Sequence, residues 1–393
     1  MKKLLLATAL TGMASAAIAE DVKMGIILGF TGPIESITPF MGQSAELAVS
    51  EINEAGGILD GQMIEAIRAD STCVDAAAAQ AAAERLITSD GVTAIMGADC
   101  SGVTGAILAN VAMPNGVAMI SPSATSPGLS EAEDNGLFFR TAPSDARQGE
   151  VLAEVLKSRG VTDVAVTYTN NDYGKGLSDA FISAFEAMDG TITLSSPHED
   201  GKGDYSAEIG ALASAGGSAL AVLGYSDQGG KGMIQAALDS GAFDSFVLGD
   251  GMYSDQLVAD MGDGLDGSYG VIPWSEGEGT EAFNALAEAA GFDPASSYTR
   301  ESYDAAALLA LAMQAAGSTS AADYKDKITE VANAPGEQIL PGELGKAIQI
   351  LADGGDIDYV GATNVELIGP GEAAGTYREY NITGGGFETV QIR

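Results

Sequence analysis

Short apolar runs alternate with amphipathic stretches along most of this chain, and that alternation constrains its fold more than any other feature. The first run, Val22–Leu28, ends in Gly29-Phe30-Thr31-Gly32-Pro33, a glycine and proline ending that marks the carboxyl end of a buried strand. A helix is predicted from near Gln43, where Ala45, Ala48, Val49 and Ile52 recur at helical spacing, and it stops before Gly56-Gly57. A strand over 64–69, a helix over 75–87, a strand over 94–96, a helix from about Thr104 and a strand over 117–120 complete the set. Strands this short and apolar are covered on both faces, and the helices between them supply the crossovers that parallel strands require.

A second set follows Pro143, with helices over 148–156, 177–188, 206–213 and 232–238 and strands over 164–168, 192–194, 219–223 and 246–248. Two sets predict two α/β lobes, each a mostly parallel sheet with helices on both faces. Helix candidates over 283–289, 303–315 and 324–332, with irregular chain rich in glycine and proline after them, are too little for a third domain. This region is expected to pack on the earlier lobes. At the end, Phe387, Thr389 and Gln391 alternate with Glu388, Val390 and Ile392 behind Gly384-Gly385-Gly386, which predicts a turn and an edge strand.

The chain opens Met1-Lys2-Lys3, continues through an apolar stretch over 4–10 and reaches Ala17-Ile18-Ala19 before Glu20 and Asp21. That basic, apolar, small-residue order predicts a secretory signal over 1–19 with cleavage after Ala19. Taking 19 residues and two lysines from 393 residues and a formal charge of −37 leaves 374 residues at −39. No cysteine stands near the cleavage point to take a lipid, and no later apolar run approaches the roughly 20 residues that cross a bilayer. The expected location is the periplasm, without stable membrane insertion. With 55 acidic against 18 basic residues, the mean field opposes binding to nucleic acid or anionic lipid.

Export brings Cys73 and Cys100, the only cysteines, into an oxidising compartment that favours a disulfide. Closing a loop of about 28 residues contributes on the order of 3 to 4 kcal/mol in the chain-entropy account; two separate buried thiols are the alternative. With a single histidine, His198, these cysteines are too few for a structural zinc site, and His198 reads as an exposed loop residue.

Several loops fall where parallel strands should end: Cys100-Ser101-Gly102, Ser121-Pro122-Ser123-Ala124-Thr125, Asn170-Asn171-Asp172-Tyr173, Gly224-Tyr225-Ser226 and Gly249-Asp250-Gly251. Open α/β sheets place solute sites beyond these ends. A helix starting after Ser101 presents free backbone N–H groups to a carboxylate, and the Ser101 and Thr125 hydroxyls add donors; helix caps and turns are the plainer role for each. Tyr173 and Tyr225 offer ring faces and hydroxyls to a ligand or pack in the core. Asp250, bracketed by glycines, is placed to neutralise an ammonium or stands as a turn carboxylate. Gly229-Gly230-Lys231-Gly232 lacks the phosphate-loop spacing, the first strand turn lacks a dinucleotide fingerprint, and no G-x-S-x-G elbow is present. Neither enzyme activity nor a cofactor is expected.

Thr31-Gly32-Pro33, Glu51-Ile52-Asn53 with Gly56-Gly57-Ile58, Cys100-Ser101, Ser121-Pro122-Ser123-Ala124-Thr125, Asp172-Tyr173-Gly174 and Gly224-Tyr225 occur together in one order and spacing. In these the chain resembles, over essentially its whole length after residue 19, the periplasmic branched-chain amino acid binding proteins of the leucine/isoleucine/valine type, the solute receptors of ABC importers. The resemblance implies a type I periplasmic binding protein, with one lobe formed by 20–143 and 272–372 and the other by 144–271 and 373–393. It implies that Ser101, Thr125 and the backbone at Ser123 hold a ligand carboxylate, that Asp250 receives the ammonium, that Tyr173 and Tyr225 line the cleft and that Cys73 and Cys100 pair. The implied partners are a free amino acid and an importer permease, and the expected state is a monomer. Two departures bear on specificity: Asp250 stands where those receptors carry glutamate, and Ile37 falls where they carry an aromatic, with Phe40 nearby. A different neutral amino acid, an amide, urea-like or aromatic acid ligand, or a chemosensory role are the alternatives.

Overall fold

The computed structural model describes residues 21–393, so the leader expected over 1–19 and its cleavage point lie outside the described residues. Val22–Leu28 (β1) forms a strand because its apolar side chains can be buried on both faces once both edges are paired. Met24, Ile26, Ile27 and Leu28 have no exposed surface, and burying each such side chain stabilises the fold by about 1.5–3 kcal/mol. β1 pairs in parallel with β2 (Ile64–Asp70) on one edge and with β3 (Ala94–Gly97) on the other. β4 (Ala118–Ser121) and β5 (Phe138–Arg140) extend the sheet beyond β3.

The second sheet repeats the plan. β6 (Asp163–Thr169) lies between β7 (Thr191–His198) and β8 (Leu220–Leu223), followed by β9 (Phe246–Leu248) and β10 (Tyr269–Pro273). After a short parallel pair, β11 (Glu337–Ile339) and β12 (Ile357–Tyr359), the chain returns to the first sheet with β13 (Leu367–Ile368) and β14 (Glu372–Ala373). It ends in the second with β15 (Tyr377–Thr383) and β16 (Gly386–Ile392). The orders are β13-β14-β5-β4-β3-β1-β2 and β16-β15-β10-β9-β8-β6-β7. Both sheets are mostly parallel and flanked by helices, which is the expected two-lobed α/β architecture. Segments 141–144, 274–277 and 374–376 carry the chain between the lobes.

Three local readings are corrected. The first helix starts at Thr38, ahead of Gln43, because Pro39 in its first turn has its φ already set and lacks an N–H that would go unpaired there. The chain after residue 332, expected to be irregular up to its final edge strand, holds the helix Leu344–Ala352 and five strands ahead of that edge strand, β16, whose pairing is set by distant partners rather than by local periodicity. His198 is not an exposed loop residue: β7 runs to it, it is buried, and its Nδ1 shares a 2.8 Å hydrogen bond with Thr167 Oγ1. Burial pushes the imidazole down to about 4, so it is neutral at pH 7.

Cys73 and Cys100, in the loops after β2 and β3, stand with sulfurs 2.06 Å apart and Cα atoms 5.1 Å apart, a geometry that joins the two loops flanking the end of β1. Intact-mass analysis after alkylation without reduction is expected to find no alkylated thiol. Cys73→Ser with Cys100→Ser is expected to lower unfolding stability by about 2–4 kcal/mol; two alkylated thiols in folded protein would refute the bond.

Helix Thr299–Ala316 is buried along most of its length and packs against helix Thr38–Glu54, β3 and β4. It carries two carboxyls inward. Asp304 accepts from Tyr359 OH (2.8 Å), the Ala362 and Thr363 N–H groups (2.8 and 2.9 Å) and Thr363 Oγ1 (2.6 Å); burial nevertheless pushes it up to about 6. Glu301, 6% exposed, has no side-chain donor, and burial pushes it up to about 7 from 4.5, opposed by a backbone hydrogen bond. An acid raised in the folded state contributes stability that is complete below its unfolded value and is lost as the pH rises through its folded value. Between pH 4 and pH 8 the wild type is therefore expected to lose on the order of 3 kcal/mol more unfolding stability than Glu301→Gln. Urea titrations with equal pH slopes for the two proteins would contradict this.

Candidate functional site

The loops at the carboxyl ends of β1, β3 and β4 meet those of β6, β8 and β9 around one small cavity. On the first lobe, β3 ends at Gly97 with φ 127°, where a Cβ would lie 2.1 Å from the Ile27 carbonyl oxygen, so only glycine lets β3 close on β1 there. Two residues later the buried Asp99 accepts from Gly29 N–H (2.7 Å) and Ser71 Oγ (2.9 Å), tying together the loops after β1, β2 and β3. Burial raises this carboxyl above its usual range, with those hydrogen bonds opposing the rise. Cys100 precedes the helix Ser101–Ile107, and Ser101 Oγ accepts from Ser126 N–H at 3.1 Å. Ser123 Oγ donates to the Asp99 carbonyl at 3.0 Å.

On the second lobe, Asn171 accepts from Gly174 N–H (3.1 Å), starting the helix Asp172–Ala187 in whose first turn Tyr173 sits. The Tyr173 and Tyr225 rings stack with centroids 5.1 Å apart and planes 18° from parallel. Tyr173 OH donates to Asp250 Oδ1 at 2.6 Å and accepts from Gly251 N–H at 3.0 Å. Tyr298 OH donates to Asp250 Oδ2. Asp250 N–H donates to Gln148 Oε1 (3.0 Å), and Gln148 Nε2 donates to Asp145 Oδ1 (2.8 Å). Burial, then the charge of Asp250, pushes Asp145 well above the carboxylate range and the Tyr173 and Tyr298 hydroxyls well above theirs, so both phenols remain neutral donors.

The cavity measures about 20 Å³, room for about one water. Ile34, Ile37, Asp99, Cys100, Ser101 and Ser123 line it from the first lobe, and Tyr173, Tyr225, Asp250 and Gly251 from the second, with Tyr298 between them. A solute of amino acid size enters such a space only if the lobes part. Of the six residues singled out in the sequence, Ser101, Ser123, Tyr173, Tyr225 and Asp250 are brought together here. Thr125 is not on the wall: it is fully buried, its carbonyl accepts from Asp145 N–H (2.8 Å), and its Oγ1 makes no hydrogen bond. Ile37 is on the wall and Phe40 is not.

Sequence reasoning missed Tyr298, Asp99 and the Asp145–Gln148 pair. Tyr298 sits at φ 60° just ahead of a helix, a left-handed conformation that its sequence does not announce. Asp99 follows a strand like the other loop residues and was legible by position. Asp145 looks in sequence like an ordinary first-turn acid behind the Ser144 cap.

Residues 21–347 match the sequence model of the periplasmic binding protein family. The Leu/Ile/Val-binding protein homolog 3 of Brucella melitensis is 32% identical over 311 residues, covering 78% of this chain and 82% of that one. The fold is similar to the branched-chain amino acid transporter substrate-binding protein of Streptococcus pneumoniae, solved in complex with isoleucine, at a TM-score of 0.79 and 23% identity over 95% of this chain and 99% of that one. It is similar also to an ABC transporter solute-binding protein of R. palustris solved with 4-hydroxybenzoate, at a TM-score of 0.74 and 17% identity over 95% and 97% of the two chains. The match to the family model spans well over half of the sequence: this chain belongs to the periplasmic binding protein family.

Proposed function

We propose that this protein is the periplasmic receptor of an ABC importer and that it closes on a neutral, zwitterionic amino acid, branched-chain or similar in size. The observation that carries this reading is the polarity of the two cavity walls. The second lobe presents the Asp250 carboxylate set among tyrosines, and the first presents the Ser101 and Ser123 hydroxyls beside Asp99, whose two carboxyl oxygens are already taken by Gly29 N–H and Ser71 Oγ. A zwitterion matches that pair, its ammonium on Asp250 and its carboxylate on Ser101, the Ser123 backbone and Thr125. Tyr173 and Tyr225 supply ring faces to the side chain. An aromatic acid without an amine would leave Asp250 without a counter-charge in a closed cleft, which disfavours that ligand class.

On this reading the two lobes move against one another about the connections 141–144, 274–277 and 374–376, and closure presents the permease with a different surface. The protein acts as a monomer and performs no catalysis. No single helix among the described residues is long and apolar enough to cross a membrane. With the leader proposed over 1–19, N-terminal sequencing of protein from the soluble envelope fraction is expected to begin at Glu20. An intact Met1 on that pool would reject the cleavage assignment.

Small molecules released by denaturing freshly purified protein and weighed by mass spectrometry identify the ligand. Asp250→Asn keeps the size of the side chain and removes its charge. Calorimetry with the released compound is expected to show binding weakened by roughly 2 to 4 kcal/mol, about 30-fold to 1000-fold, with folding retained. Equal affinity in the folded variant would reject the ammonium-binding role of Asp250. A released ligand without an amine would reject the amino acid receptor as a whole.

A further inference from the structure

The loop between β1 and the helix Thr38–Glu54 belongs to the first lobe and faces two ways. Ile34 and Ile37 line the cavity, whereas Ser36, between them, bonds to the other lobe. There Asp227 Oδ2 accepts from Ser36 N–H at 2.8 Å and Oδ1 accepts from Ser36 Oγ at 2.8 Å, across 191 residues of sequence. Asp227 N–H donates in return to the Pro33 carbonyl at 3.0 Å. Ser36 Oγ also lies 3.2 Å from Ser254 Oγ, which caps the helix Asp255–Met261 by accepting from Leu257 N–H at 3.3 Å. Neither Ser36 nor Asp227 is on the cavity wall.

We propose that Ser36 and Asp227 form a latch across the rim of the cleft, which sets the population of the closed state without touching the ligand. Both oxygens of the Asp227 carboxylate take donors from the opposite lobe, and these bonds exist only while the lobes are together. When the lobes part, water replaces them, so each bond contributes only its small net surplus to closure. The two bonds that the Asp227 carboxylate accepts from Ser36 together shift a two-state equilibrium by about 10-fold. The apparent affinity of every ligand that needs the closed state is multiplied by the same closed fraction. A latch outside the cavity therefore scales all affinities alike and leaves the ratios between ligands to the cavity wall. The affinity part of this inference rests on the receptor reading above; the closure part does not.

The test uses the full protein stripped of ligand by unfolding and refolding. Small-angle X-ray scattering is expected to show Asp227→Ala with a larger radius of gyration than wild type, while Asp244→Ala, which removes an equal charge from an exposed position at the other end of β9, matches wild type. Asp227→Asn, which keeps one acceptor oxygen and the size of the side chain, is expected to fall between them and replaces Asp227→Ala if that variant folds poorly. Calorimetry with L-leucine and with L-valine is expected to give Asp227→Ala a Kd about 10-fold weaker for each, with their ratio held within about twofold and the loss carried by faster release. Scattering identical to wild type in the Asp227 variants overturns the latch. A changed leucine to valine ratio also overturns it, because Asp227 would then contact the ligand. If neither amino acid binds wild type, the branched-chain part of the reading fails, while the scattering still decides the latch.

Discussion

Asp250 places a carboxylate at 2% exposure between two lobes, and the surrounding structure is arranged to make that tolerable. An isolated buried carboxylate costs several kcal/mol, which hydrogen-bond donors must offset. Tyr173 supplies one from the second lobe. Tyr298 supplies another from the head of a helix that packs on the first lobe, so satisfying one acid draws the two lobes together. Gln148 fixes the Asp250 backbone from behind and holds the neighbouring Asp145. Burial, then the neighbouring Asp250, pushes the Asp145 carboxyl well above the usual carboxylate range.

The placement of the few cations reinforces this. Only 18 of 393 residues are Lys or Arg, and the buried arginines hold backbone and packing rather than face the cavity. Arg140 pairs with Glu372 and donates to the Ala124 and Ser126 carbonyls (3.0 and 2.9 Å), which fixes the loop that carries Ser123 and Thr125. Arg300 and Arg378 stack on Trp274, 4.0 and 4.6 Å from its ring centroid, beside the connection that leaves β10. No arginine or lysine lines the cavity, so the charge a ligand meets there comes from carboxylates.

Elements whose signal is local were legible in the sequence. The strand Phe246–Leu248 was read to the residue, and the apolar faces of helices such as Asp145–Ser158 and Asp172–Ala187 were found because burial repeats at 3.6-residue spacing. Five residues of the cavity wall are legible because strand ends are marked by glycine, serine and asparagine, and parallel sheets put such ends together. What escaped depends on distant partners. β13 and β14 have two residues each and exist only through pairing, Tyr298 reaches Asp250 from a left-handed residue, and His198 is buried because β7 continues past the point where its apolar run stops.

The two departures from the leucine-type pattern change the cavity in different places. Asp250 holds its carboxylate one methylene further back than a glutamate would, and Tyr298 reaches into that end and donates to one oxygen of the acid. Ile37 stands on the opposite wall, in the loop that also bonds to the other lobe through Ser36. On the proposed reading the charged ends of the ligand are fixed by Asp250 and the first-lobe hydroxyls, so a gain or loss of a methylene in the solute is felt between Tyr298 and Ile37. A hydrophobic wall distinguishes one methylene by about 1–3 kcal/mol at most. An unmatched charge in the closed cleft costs more than that. On that proposed reading, discrimination is expected to be sharp for zwitterions against other charge types and graded among neutral amino acids of different size.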